Sequence, residues 1–170
     1  AYIRKCLNEL GPYKNVVHQC GEEYTGDLAF MRFWLDTVIE WEEETGNRVV
    51  ISLAAPKAVQ DAILKDTTRS RYIDIIHLKY WWYKADGTLY APRGGDEIPG
   101  RGFTGGDCAD QSSPYQIYRQ VKEYRQQYAD KAIFHTILAS REQTAAFIMA
   151  GGSILIRRLQ YADFAGGTNS

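Results

Sequence analysis

Two adjacent carboxylates, Glu22 and Glu23, follow the apolar run Val16-Val17-His18-Gln19-Cys20-Gly21 and precede Tyr24-Thr25-Gly26. The run reads as a buried strand, and the amphipathic pattern that starts at about Asp27 reads as its covering helix. Carboxyl groups at such a strand end suit general acid/base chemistry, because α/β folds bind ligands at the C-terminal edge of their strands. Two carboxylates side by side also oppose each other's ionisation, which raises one of their pKa values. Glu23 is therefore the leading catalytic candidate, with Glu22 beside it, although neighbours in an extended strand point to opposite faces.

Other polar groups compete for a role. Glu142 opens a helix, where the macrodipole accounts for a carboxylate without chemistry, and Asp96 and Glu97 lie in a Gly-rich stretch. His18, His77 and His135 fall on three separate strands. His18 and His77 come early in theirs, so only His135 is placed as a hydrogen-bond donor to substrate or to Glu23, and no metal or other cofactor is expected. Trp81-Trp82-Tyr83 closes another strand at the same rim, where flat rings could stack on sugar faces. Hairpin core is the competing reading, and it is expected for at least one of the two tryptophans. Cys6, Cys20 and Cys108 form no CxxC pair; Cys6 and Cys20 read as small core residues. Arg93-Gly94-Gly95-Asp96-Glu97-Ile98 superficially resembles a diguanylate cyclase motif, but it sits in an insertion rather than on a hairpin between sheet strands. No P-loop or dinucleotide fingerprint is present.

The totals narrow the function classes. A chain of 170 residues, 45% apolar and 24% charged, suits a single domain spanning 1–170 with a real core. A formal charge of -1 gives no general attraction to phosphate backbones or anionic lipid, so neither nucleic acid nor membrane is an expected partner. Four Trp and twelve Tyr fit carbohydrate stacking and a large core equally well. The chain starts without Met inside a helical pattern, as expected for a processed chain or a piece of a longer protein.

The elements that must position these groups follow from periodicity and punctuation. Helices are predicted over 1–10, 27–46, 56–65, from Ser113-Pro114 onward, and from Ser140 to Gly151-Gly152. Ser140-Arg141-Glu142-Gln143 fits a capping box. Strands are predicted over 16–21, 48–54, 72–80, 131–136 and 153–156, and that over 48–54 is continuous rather than alternating, as parallel strands tend to be. The glutamates at 40 and 42–44 read as the wet side of the second helix. Asp86-Gly87 between aromatic flanks predicts a hairpin, set in an insertion over about 81–112. Five βα units in series give an α/β fold with a parallel sheet, either doubly wound or part of an eight-stranded barrel.

Asn15-Val16-Val17 followed by Gly21-Glu22-Glu23-Tyr24 resembles the signature that ends the fourth strand of retaining (β/α)8-barrel glycoside hydrolases. Phe33-Trp34-Leu35-Asp36-Thr37, Glu44-Thr45-Gly46-Asn47-Arg48-Val49, Val59-Gln60-Asp61-Ala62-Ile63-Leu64 and Tyr90-Ala91-Pro92 extend the likeness to bacterial cellulase-like and apiosidase-like barrels. The resemblance covers most of residues 2 to 158. It implies strands four to eight of a TIM-type barrel and a glycosidase acting on oligo- or polysaccharide. Glu23 would be its acid/base, with Tyr24 among its substrate-binding residues. It also implies a secreted or periplasmic setting, and a homodimer or a missing N-terminal half to complete the barrel. The alternative is a non-catalytic carbohydrate-binding or assembly module derived from such a half-barrel. Two positions depart from the pattern: Glu22 replaces an asparagine, and Phe134-His135-Thr136 stands where a nucleophilic glutamate would end strand seven.

Overall fold

The computed structural model describes residues 1–21, 26–91, 112–135, 138 and 140–155, with the backbone alone at 154 and 155. In chain order the elements are α1 (Tyr2–Leu10), β1 (Val17–Gln19), α2 (Leu28–Thr45), β2 (Val50–Ala54), α3 (Lys57–Lys65), the single turn α4 (Thr67–Ser70) and β3 (Ile75–Leu78). They continue with β4 (Trp82–Tyr83), β5 (Leu89–Tyr90), α5 (Pro114–Gln127), β6 (Ala132–His135), α6 (Arg141–Met149) and β7 (Ile154–Leu155).

The helix ends lie where the capping residues put them. Asp27 accepts the Phe30 amide at 2.8 Å, and α2 closes on Gly46 at φ 69°, a left-handed conformation that glycine adopts without a Cβ penalty. Ser113 accepts the Gln116 amide ahead of a proline in the first turn, and Ser140 accepts the Gln143 amide at 3.1 Å. The Gln143 side chain donates at 2.8 Å to the Ser112 carbonyl, tying α6 to the start of α5. The expected hairpin is present: β4 and β5 pair antiparallel, and Asp86 accepts from both the amide and the hydroxyl of Thr88.

Five strands form one parallel sheet in the order β1-β2-β3-β6-β7, which follows the chain without reversal. The fold is α/β with a parallel sheet, as expected. Paired residues share a face, so the register sorts the side chains. One face carries His18, Ile51, Leu53, Ile76, Leu78, Ile133 and His135. Its apolar members join a single core with Leu7 of α1, Leu35 and Val38 of α2, Val59 and Ile63 of α3, Ile117 and Val121 of α5, and Phe147 of α6. Among the described residues, the five longer helices therefore all pack on that face. Gln19, Ser52, Ala54, Ile75, His77 and Phe134 occupy the other face, and none of them belongs to this core.

Cations close the end where the strands begin. Lys131 is buried and donates to the carbonyls of Ser70 and Ile73 at 2.8 and 2.9 Å. Arg125 reaches the carbonyls of Gly151 and Lys131 at 2.7 and 2.8 Å. Arg48 donates to the Tyr72 carbonyl and pairs with Asp74 at 2.9 Å and with Glu42 at 3.0 Å. Glu42 corrects the expected wet face of α2: it is buried and also accepts the Val49 amide at 2.9 Å. Burial pushes its pKa up, against the pull of the Val49 amide and Arg48.

Candidate functional site at the strand tips

Gln19, Ser52 and His77 meet on the face opposite the helices. The Gln19 carbonyl oxygen accepts from Ser52 Oγ at 3.1 Å and from His77 Nδ1 at 2.9 Å. Gln19 Nε2 donates to the Gly21 carbonyl at 3.2 Å, which orients the amide. Contact between β1 and β3 has to pass over β2, a gap of two strand spacings or about 10 Å. The small residues Ser52 and Ala54 leave the room. The Phe134 ring lies 4.3 Å from the His77 ring, extending the row on to β6.

Above this row stand the residues that follow β3. Lys79 is buried, with its ammonium 5.5 Å from the Tyr80 ring. Tyr80 packs with Ala54 and Tyr90, and Trp82 lies against Tyr90 with ring centroids 4.2 Å apart. Burial, helped by the charge of Lys79, lowers the His77 pKa to about 4. At neutral pH the ring is therefore uncharged and works as an oriented hydrogen-bonding group rather than a proton donor.

The chain enters the carboxylate segment from this same end. Gly21, at φ 69°, lies two residues past the end of β1. Glu22, Glu23 and Tyr24 lie outside the described residues, as do Asp96, Glu97, Cys108, Thr136 and the 93–98 motif. Among the described residues the face opposite the helices carries no carboxylate. Glu142 is exposed in the first turn of α6, where its own backbone amide and the Ser140 side chain hold its pKa down.

Three expected site residues are placed elsewhere. Trp81 is 1% exposed, with its indole N–H donating to Gln60 at 2.9 Å and Lys57 lying 4.4 Å over its ring. Tyr83 also faces α5: its hydroxyl donates to Glu123 at 2.7 Å and Arg119 stacks 3.9 Å above it. Both are core rings, because the chain turns after β3 and sends alternate aromatics to opposite sides. Of the three aromatics, Trp82 alone lies on the Tyr80–Tyr90 side. His135 points the other way as well, packing edge-on to Phe147 among the helices, where burial lowers its pKa to about 3. His77, on the neighbouring strand β3, lies on the face away from the helices instead. Cys20 is buried, which drives its thiol up to about 12 and leaves it unreactive; Cys6 is half-buried.

Among the described residues no group of three or more His, Cys, Asp or Glu is placed to hold a metal ion, and no helix is long and apolar enough to cross a membrane. Compared with known proteins, residues 1–166 match the family described as a domain of unknown function, DUF6298. No curated protein and no solved structure matches the chain.

Proposed function

The chain belongs to the DUF6298 family, and we propose that it is a glycoside-hydrolase-like domain that binds carbohydrate at the C-terminal tips of its parallel strands, with Glu23 as general acid/base. The observation that carries this reading is the Gln19–His77 contact across β2, on the face away from the helices and beside the turn into Glu22-Glu23. Neutral donors and acceptors beside aromatic rings suit sugar hydroxyls and ring faces.

On this reading the sheet is an arc of a (β/α)8 barrel. A doubly wound sheet reverses its strand order and puts helices on both faces, whereas this one keeps chain order and packs its helices on one face. Side chains stand nearly upright on a sheet, so residues two strands apart meet most easily where the face is concave. Barrel interiors are filled in that way, by side chains from alternate strands. Val17 is half exposed on β1, an outer strand of the sheet. Closure needs further strands, from a longer chain or from a second copy. Light scattering after size exclusion should return about twice the chain mass for residues 1–170. A clean monomer at high concentration removes the self-association arm.

In the reaction, Glu23 donates its proton to the departing glycosidic oxygen as the bond from that oxygen to the anomeric carbon breaks. It then takes a proton from the water whose oxygen bonds to that carbon, so the hydroxyl ends on the sugar and the acid is restored. A proton donor of this kind needs a pKa raised towards neutral, and an adjacent carboxylate such as Glu22 is one cause of such a rise. Glu23→Gln should lower turnover of a p-nitrophenyl glycoside by a factor of about 10²–10⁴ with the far-ultraviolet circular dichroism unchanged. Equal turnover in the variant removes the assignment.

The second reading is a non-catalytic sugar-binding or assembly module. It is favoured by the tip of β6, where Phe134 faces away from the helices and His135 towards them, so that among the described residues no carboxylate stands in the nucleophile's place. Calorimetric binding of oligosaccharides without hydrolysis of any aryl glycoside would select it.

A further inference from the structure

We infer that Gln19 is a positioning residue, whose single amide holds the His77 ring in one tautomer and ties it to the turn that leads into Glu22-Glu23. The amide orientation is set first. Gln19 Nε2 donates to the Gly21 carbonyl at 3.2 Å, so the oxygen end faces the sheet. That oxygen has no hydrogen to give, so the partner nitrogen of His77, 2.9 Å away, must carry one. Ser52 Oγ donates to the same oxygen at 3.1 Å and braces it from the intervening strand. The turn itself is closed twice: by the side chain, and by the Gly21 amide donating to the Gln19 carbonyl at 2.9 Å.

A leucine at this position could fill the space but could neither orient the ring nor hold the turn. Glutamate keeps an acceptor for His77 Nδ1–H and loses the donor to Gly21. The two substitutions therefore separate the two tasks of one side chain. The inference rests on the proposed function only in naming Glu23 as the group whose strand tip is set.

Imidazole ¹⁵N shifts report the tautomer directly, and amide exchange at Gly21 reports the turn. His77 should be Nδ1-protonated in the parent protein and in Gln19→Glu, and should move to a mixture or to the Nε2–H form in Gln19→Leu. Gly21 exchange should quicken by up to about tenfold in both variants, the worth of one hydrogen bond. On a p-nitrophenyl glycoside that the parent hydrolyses, both variants should lower kcat more than they raise KM. An Nε2–H ring in the parent, an unchanged tautomer in folded Gln19→Leu, or unchanged Gly21 exchange in Gln19→Glu overturns the inference. If the two spectroscopic signatures hold while no glycoside is turned over, the positioning role stands and the hydrolase reading falls.

Discussion

Taking the protein from pH 7 to pH 4 should remove several kcal/mol of its folding stability, with the loss beginning near pH 6.5. Burial, helped by the charge of Lys79, lowers the His77 pKa from 6.5 to about 4, and burial, helped by His77 once that ring is protonated, lowers that of His135 to about 3. An unfolded chain takes up protons on these rings near pH 6.5, whereas the folded chain refuses them until the lower values. Between those limits the unfolded state binds more protons, so stability rises with pH and is lost on acidification. At about 1.4 kcal/mol per unit, each ring contributes on the order of 3 kcal/mol by pH 4. His18, also lowered by burial, acts in the same direction. Glu42, raised by burial, works against them. Urea titrations at pH 7, 5.5 and 4.5 would measure the slope, and His135→Leu should roughly halve it. A stability independent of pH over this range would show that the rings charge freely inside the fold.

Gln60→Leu should cost about 2–5 kcal/mol, although leucine fits the space and suits a helix. Gln60 is fully buried on α3, with its amide donating to the carbonyls of Leu53 and His77 at 2.9 and 3.1 Å and accepting the Trp81 indole N–H at 2.9 Å. One side chain thus joins the ends of β2 and β3 to the segment that leaves them. Leucine strands a buried indole N–H, and an unmet buried donor costs about 1–3 kcal/mol by itself. Gln120, also fully buried, holds the Trp81 carbonyl at 2.6 Å, so the ring cannot swing out to find water. Trp81→Phe in the leucine background removes the stranded donor and should recover part of the loss. The double-mutant cycle then yields the coupling directly. If Gln60→Leu falls within about 0.5 kcal/mol of the parent, these glutamines do not hold the strand exits in place.

Local chemistry made much of this architecture readable. Asp27, Gly46, Ser113-Pro114, Ser140 and Asp86-Gly87 fix their backbone through short-range bonds that depend on few other residues, and all of them act as expected. The facing of the strands was not readable, for a physical reason. In β3, Ile75 and Ile76 are adjacent and both buried, one on each face, so there is no polar alternation from which to read the phase. The predicted strand over 72–80 also overran the four residues that pair, placing His77 too far from the tip. The register puts His77, and not His135, on the face away from the helices. Glu42 shows the same limit: on α2 it stands next to exposed Glu43, and only the long-range approach of Val49 and Arg48 makes it a buried partner. The carboxylates that began the functional reading, Glu22 and Glu23, rest on sequence alone.

The cation clamps beneath the sheet constrain the chain unevenly. Lys131 and Arg125, and Arg48 in part, grip peptide oxygens, which every residue type supplies. A substitution at Ser70 therefore leaves the acceptor intact, whereas loss of the cation removes the grip altogether. The grip itself is thus written on the donors, while Ile73, in the core, and Gly151, at φ 96° with Arg125 against its Cα, are fixed by packing and backbone rather than by what they accept.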